Sequence, residues 1–322
     1  MRKYNILITG VGAIIGYGLI NALRQSKYDT YIVGMDIYDD AYGQHICDEF
    51  IQAIPAAAEE YPEFIKGIIK EKNIDLVMFG TEQEIHRLIK EREVMGEDYD
   101  KLVINNERIV ELSNDKWLTH QFLVENGFQA IPTYLEGDYE TLSAKLGNPF
   151  LLKPRRSYAS KGIEKISNQE EFEFYKKRVA DQFMVQKIIG DVEHEYTAAT
   201  FGFGDGGCIK PIVLKRKLSQ EGATAKAEVI ESAEMETLIY QMAEILKPVG
   251  PTNFQFRYHD GEYLLLETNP RISSSTSLRA AFGYNEAEMC IEFFVEHNRP
   301  KDADIKKGTA VRYIADCVRI EC

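Results

Sequence analysis

Along the first third of the chain, short apolar runs alternate with segments whose apolar residues recur every three or four positions. Tyr4–Thr9 is an apolar run that stops at glycine; it predicts a buried parallel strand, with a helix following to about Gln25. Thr30–Met35 predicts a second strand ending at Asp36, Tyr61–Lys72 a helix, Ile74–Phe79 a strand, Glu82–Glu93 a helix and Leu102–Asn105 one more strand. This order predicts a parallel sheet with helices on both faces, and such sheets take ligands where their strands end.

The pattern then changes. Ser113 or Asn114 is placed to cap a helix over Lys116–Asn126, which closes at Gly127. Phe150–Lys153 and Phe183–Ile188 read as strands around a helix at Glu170–Val179. Thr197–Phe203 and Cys208–Leu214 read as strands separated by Gly204–Gly207. Asn253–Tyr258 and Tyr263–Glu267 flank His259-Asp260-Gly261, whose Asp-Gly pair is a hairpin signal. An α/β first part is therefore followed by an α+β remainder.

Length and charge narrow the classes. The 322 residues suggest two domains or three small lobes. With 38 Lys+Arg against 51 Asp+Glu the net charge is −13, which argues against nonspecific binding to nucleic acid or an anionic membrane. Cys47, Cys208, Cys290, Cys317 and Cys322 are scattered without C-x-x-C spacing, as expected of free thiols in a reducing cytoplasm. No apolar stretch approaches the ~20 residues that span a bilayer. The expectation is a soluble, cytoplasmic protein.

Four segments carry candidate chemistry. Gly10, Gly12, Gly16 and Gly18 lie between a strand and a helix, a place to cradle phosphate, with Asp36 suited to a ribose hydroxyl; yet Ile15 breaks G-x-G-x-x-G, and a tight turn needs glycines anyway. Phe150–Lys153 delivers a lysine from a buried strand into the cationic loop Pro154–Gly162. Met184–Gly190 is an extended segment able to offer its backbone to an adenine edge, with Glu193 and Glu195 downstream. In the late hairpin, Glu267 and Asn269 are two apart and so share a face, Gln255 can lie opposite, and Arg271 follows: oxygen ligands for a hard cation beside a planar cation for phosphoryl oxygens.

Taken in order, the lysine strand, the hinge strand with its glutamate, and Gln255…Glu267-Thr268-Asn269-Pro270-Arg271 resemble the ATP-grasp superfamily, most closely the ATP-grasp halves of carbamoyl-phosphate synthase large subunits, from about Ile109 to Glu296. The resemblance implies a Rossmann-like pre-ATP-grasp domain over residues 1–110, an ATP-grasp domain over 111–300 (lid lobe about 118–185, C-terminal lobe about 186–300), and an extension over 301–322 packing on the core. It implies Lys116 and Lys153 on ATP phosphates, Gln186, Lys187 and Ile188 along the adenine hinge, Ser160 in the nucleotide-binding loop, and Glu195 on the ribose with Glu193 as its fallback. It further implies Gln255, Glu267 and Asn269 as ligands of Mg²⁺ (or Mn²⁺), Arg271 as the phosphoryl-stabilising arginine, and Arg216 facing the phosphorylated intermediate. The Arg155–Ser160 run departs from the synthase's glycine-rich loop, and only one such module is present.

The function implied is an ATP-dependent carboxylate–amine ligase acting on small molecules through an acyl phosphate. A small-molecule kinase and a non-catalytic nucleotide-binding subunit are the alternatives, and a homodimer is expected on general grounds. Glu82 or Glu84, at the end of a parallel strand, can hold a substrate amine or cap the following helix; His86 reads as a surface or packing residue.

Overall fold

The structure, a computed structural model, describes residues 2–157, 161–179, 182–220, 222–314, 316 and 318. Strands β1 (Lys3–Thr9), β2 (Asp29–Asp36), β3 (Glu49–Gln52) and β4 (Leu76–Met78) form a parallel sheet in the order β3-β2-β1-β4. Their centres (Ile6, Leu7, Ile8, Val33, Leu76 and Val77) are buried on both faces, as a parallel sheet requires. Helices α1 (Ile14–Arg24) and α2 (Tyr61–Glu71) cover it, and α3 (Glu82–Leu88) and α4 (Arg92–Met95) follow β4.

Two expectations fail here. The single helix over Glu82–Glu93 is two helices, because the chain turns after Leu88 so that Met95 and Tyr99 reach the core that also holds Leu88 and Ile65. Leu102–Asn105 makes only a bridge from Leu102 to Val77. Asn105 instead spends its amide on the next lobe, donating to Thr252 Oγ1 (2.7 Å) and accepting from the Val249 N–H (2.9 Å).

Helix α5 (Glu107–Asn114), capped by Asn106, runs directly into α6 (Lys116–Glu125). The cap of α6 is Asp115, whose Oδ1 accepts the Trp117 N–H; Ser113 and Asn114 end α5 rather than start α6. A small antiparallel sheet follows, β5 (Thr133–Tyr134), β6 (Phe150–Pro154), β7 (Glu164–Ile166) and β8 (Phe183–Gln186), in the order β5-β8-β6-β7. Helices α7 (Tyr139–Leu146) and α8 (Gln169–Val179) pack on it through Leu142, Leu146 and Phe172 against Phe150, Leu152 and Val185.

The third sheet is antiparallel and six-stranded: β9 (Glu195–Phe203), β10 (Ile212–Leu218), β11 (Thr224–Ile230), β12 (Val249–His259), β13 (Glu262–Asn269) and β14 (Thr309–Val311), in the order β13-β12-β9-β10-β11-β14. The expected Cys208–Leu214 strand starts late. Cys208 only bridges to Gly202, and pairing begins at Ile212, after Pro211, which has no N–H to give. Asp260 and Gly261, both at positive φ, form the two-residue hairpin turn.

Helix α9 (Ala233–Leu246) covers one face of this sheet, meeting Phe254 and Phe256 through Met235, Ile239 and Met242. The other face joins Ala199, Phe201, Ile212 and Leu214 to Ile6, Ile8 and Leu19 in one core with the first sheet. Helices α10 (Thr276–Ala281) and α11 (Glu286–Cys290) lie against α1, so closely that a Cβ on Gly18 would stand 2.8 Å from Thr276 Cγ2. This shared core fixes the start of α3 opposite the end of β13. Ala303, Ile305 and Ala310 pack against this core, and the Arg312 guanidinium donates to Thr224 O and Ser274 O. Beyond it Tyr313, Ile314 and Val318 are exposed.

Candidate active site

Lys153 stands near the end of β6, buried, and donates Nζ to Gln186 Oε1 at 2.6 Å. Gln186 ends β8, and its Nε2 donates to Thr133 Oγ1 at 2.9 Å, which fixes the amide orientation. Burial, and after it the Lys116 charge, push Lys153 down to about 8, with Glu267 pulling the other way. Lys116, first residue of α6, donates Nζ to Ser157 O (2.8 Å) and Ser157 Oγ (3.1 Å). Beside it, Asp115 is buried and clamps Arg155 through two hydrogen bonds, from Nε at 3.1 Å and Nη2 at 2.6 Å. Burial works to raise the Asp115 carboxyl, but Arg155, the Trp117 N–H and the Arg156 charge outweigh it and hold it below the usual value.

The hairpin supplies the opposing groups. Gln255 pairs with Glu267 and Asn253 with Asn269, and a bulge at Gln255/Phe256 leaves Phe256 opposite Leu265. Leu265 enters the core under α9 and its neighbours Leu264 and Leu266 turn to a small apolar cluster with Ile131 and Ile189; the bulge then brings Glu267 onto the face of Leu266, opposite Gln255. Strict alternation would have put Leu265 and Glu267 together. Among the described residues Glu267 has no hydrogen-bond or ion-pair partner; burial and the Glu82 charge push its carboxyl up, against Lys116, Arg271 and Arg216. Asn269 Oδ1 accepts Arg271 Nη2 (2.9 Å), and Gln255 Oε1 accepts Arg216 Nη2 (2.7 Å), so each amide oxygen keeps a lone pair.

Three residues stand elsewhere than the resemblance implies. Glu195 lies in register between Arg216 on β10 and Arg257 on β12. Its Oε1 accepts from Arg216 (3.1 Å) and its Oε2 from Arg257 Nη2 (2.6 Å), so as placed each oxygen is turned to an arginine of a neighbouring strand. Glu193 is exposed and pairs with Lys217 at 2.7 Å, so the fallback is turned away too. Arg216 is likewise buried in this clamp rather than open to an intermediate. Along the hinge, Lys187 N–H is taken by Pro132 O, and it is Ile189, not Ile188, that joins the Leu264 cluster. Ser160 lies outside the described residues.

Between the two sides opens a cleft of about 510 Å³, lined by Glu82, His86, Asn114, Arg156, Ser157 and Glu267 among others. Arg271 reaches across the lobes to Glu82, Nη2 to Oε1 at 2.7 Å. Glu84, by contrast, is buried in a cage of hydroxyls from Thr9, Tyr61 and Thr81. The glycine turn is a packing device. A Cβ on Gly16 would stand 2.3 Å from Gly10 O, and Asp36 accepts the Gly12 and Tyr38 N–H groups with its two oxygens. The sequence reading missed Asp115, Arg257 and Arg279; the last is fully buried, ion-paired to Glu286 (3.3 Å) and donating to Asn253 Oδ1 (2.6 Å).

Similar proteins share this arrangement of lobes. Residues 194–317 match the family described as ATP-grasp in the biosynthetic pathway with Ter operon. The structure aligns over 94% of this chain and 81% of N5-carboxyaminoimidazole synthetase from Staphylococcus aureus complexed with ADP, at a TM-score of 0.73 and 18% identity. It aligns with the β-γ-ATP complex of biotin carboxylase from Campylobacter jejuni over 95% and 74% of the two chains, at a TM-score of 0.75 and 16% identity. The fold is that of the ATP-grasp enzymes. In sequence, the chain is 22% identical to the carbamoyl phosphate synthase large chain of Thermotoga sp. (strain RQ2) over 91% of its own length, and it spans 27% of that relative. Among the described residues, no helix is long and apolar enough to cross a membrane. Among those residues no group of three or more His, Cys, Asp or Glu gathers that could hold a metal ion.

Proposed function

We propose that this chain is an ATP-dependent ligase that joins a small carboxylic acid to an amine through an acyl phosphate. The observation that carries the reading is the convergence of Lys116 and Lys153 from one side on the unpartnered Glu267 and on Arg271 from the other. The aliphatic cluster of Ile131, Ile189, Leu264 and Leu266 takes the adenine ring. The two lysines hold the phosphates, and Arg271 neutralises charge on the transferring phosphoryl group. Glu267, with the amide oxygens of Gln255 and Asn269, would hold Mg²⁺ (Mn²⁺ suits the same oxygens), which when bound neutralises the β- and γ-phosphate oxygens. Gln186 and Arg216 act one step back, by holding Lys153 and Gln255. Cys47, Cys208 and Cys290 are free thiols, in keeping with a cytoplasmic enzyme.

The reaction needs little covalent help from the protein. A carboxylate oxygen of the acid attacks the γ-phosphorus and ADP leaves; the amine then attacks the acyl carbon and phosphate leaves. Release of phosphate by the full chain with ATP, Mg²⁺ and a matrix of acids and amines tests this. The ligase requires both an acid and an amine. A stable phosphorylated acid with no dependence on amine would make the protein a kinase, and nucleotide binding without turnover on any pair would make it a binding subunit.

A further inference from the structure

The ligase reading leaves the acid open, and one ion pair narrows it. Glu82 opens α3 at the carboxyl end of β4, and its carboxylate stands 2.7 Å from Arg271 Nη2 across the lobe boundary. It lies on the cleft that Glu267 also lines. A carboxylate there works against the collection of anions: it repels Glu267 and competes for the arginine that phosphoryl oxygens need. Arg271 does not need it for a partner, since Asn269 Oδ1 and Ile272 O already take protons from its two terminal nitrogens. Its Nε, moreover, is buried without a hydrogen-bond partner among the described residues.

A ligand carrying an anion and a cation on neighbouring atoms resolves the conflict. Its carboxylate takes Arg271, and its cation takes the Glu82 oxygen so released. We propose that the acid is an α-amino acid, its carboxylate held by Arg271 and its ammonium by Glu82. This rests on the ligase reading and deepens it. Glu84 is unavailable for the role because its oxygens are spent on Thr9, Tyr61 and Thr81. His86, one turn along α3 on the same cleft, is kept neutral by burial and does not compete with the ammonium. Bound to Glu82, the α-amine stays protonated and cannot attack; the carboxylate alone accepts the phosphoryl group, ADP leaves, and a second amine closes the amide.

The test uses the full chain with ATP, Mg²⁺ and hydroxylamine as the trapping amine, which converts an acyl phosphate to a hydroxamate and free phosphate. The acids are the twenty standard L-amino acids and des-amino counterparts such as propionate, 3-phenylpropionate and glutarate. At least one amino acid is expected to give hydroxamate, its des-amino counterpart at least about tenfold less, the size of one charge-assisted hydrogen bond. Glu82→Gln is expected to erase that preference by raising the amino-acid KM while the Kd for ADP stays put. Des-amino acids reacting as well, hydroxamate from none of the amino acids, or an unchanged preference in E82Q would each overturn the assignment. A wild-type chain that binds no ADP would instead overturn the ligase reading beneath it.

Discussion

Lys153 Nζ and Gln186 Oε1 lie 2.6 Å apart, on adjacent antiparallel strands, with the glutamine amide itself pinned by Thr133. The lysine is therefore held in one position, which on the proposed reading spares the cost of ordering it for a phosphate. Gln186→Leu removes the acceptor from a buried cation. The expected outcome is a loss of about 1–3 kcal/mol of stability and a weaker nucleotide Kd, read by urea unfolding and titration calorimetry.

On the proposed reading, Lys153 also predicts a pH dependence of nucleotide binding. Its value is pushed down to about 8, so the free protein gives up this proton as pH rises through that point, and affinity for ADP is expected to fall between pH 7 and 9. Lys153→Met should bind about tenfold to a hundredfold more weakly at pH 7 and lose the dependence around 8. Because the lysine titrates lower in the folded chain than in the unfolded one, its charge costs stability below about 8, a cost that fades as pH climbs towards the ordinary lysine range. The same variant should therefore melt higher than wild type at pH 7.

Glu267 predicts opposite signs for stability and turnover. Its carboxylate is pushed up by burial and has no direct partner, so ionising it strains the fold. Glu267→Gln keeps the shape and drops the charge. Its melting temperature should equal or exceed that of wild type, while phosphate release falls by about a thousandfold. A variant that both melts lower and keeps its rate contradicts the assignment.

Asp115 ties the start of α6, where Lys116 stands, to the end of β6, by capping α6 and clamping Arg155. Asp115→Ala loses the cap and strands the guanidinium, at a cost of about 2–3 kcal/mol. Since its carboxyl is held low in the fold, that contribution is present above the ordinary aspartate value and disappears as pH falls below it. The difference in urea midpoint between wild type and D115A should accordingly shrink in acid.

Much of the site was legible because its signals are local. Glu267, Asn269 and Arg271 stand out from period-two spacing at the end of an apolar run, and Lys153 from a buried strand that ends in a cation. What escaped depends on pairing between distant segments. Glu195 is held by Arg216 and Arg257 because β12 crosses back to pair with β9, and no local pattern announces that register. The bulge that brings Glu267 onto the face of Leu266, opposite Gln255, has no mark in the sequence, where Glu267 alternates with Leu265. Ser113, Asn114 and Asp115 are equivalent caps by chemistry, and only the run-on of α5 selects the third.

A crystal structure with Mg²⁺ and a non-hydrolysable ATP analogue addresses the account most directly. The phosphate oxygens are expected in hydrogen-bond contact with the Nζ atoms of Lys116 and Lys153, the metal on Glu267, and the adenine against Ile131, Ile189 and Leu264. A nucleotide seated at the Gly10–Gly18 turn instead, with Glu267 and both lysines untouched, would contradict it.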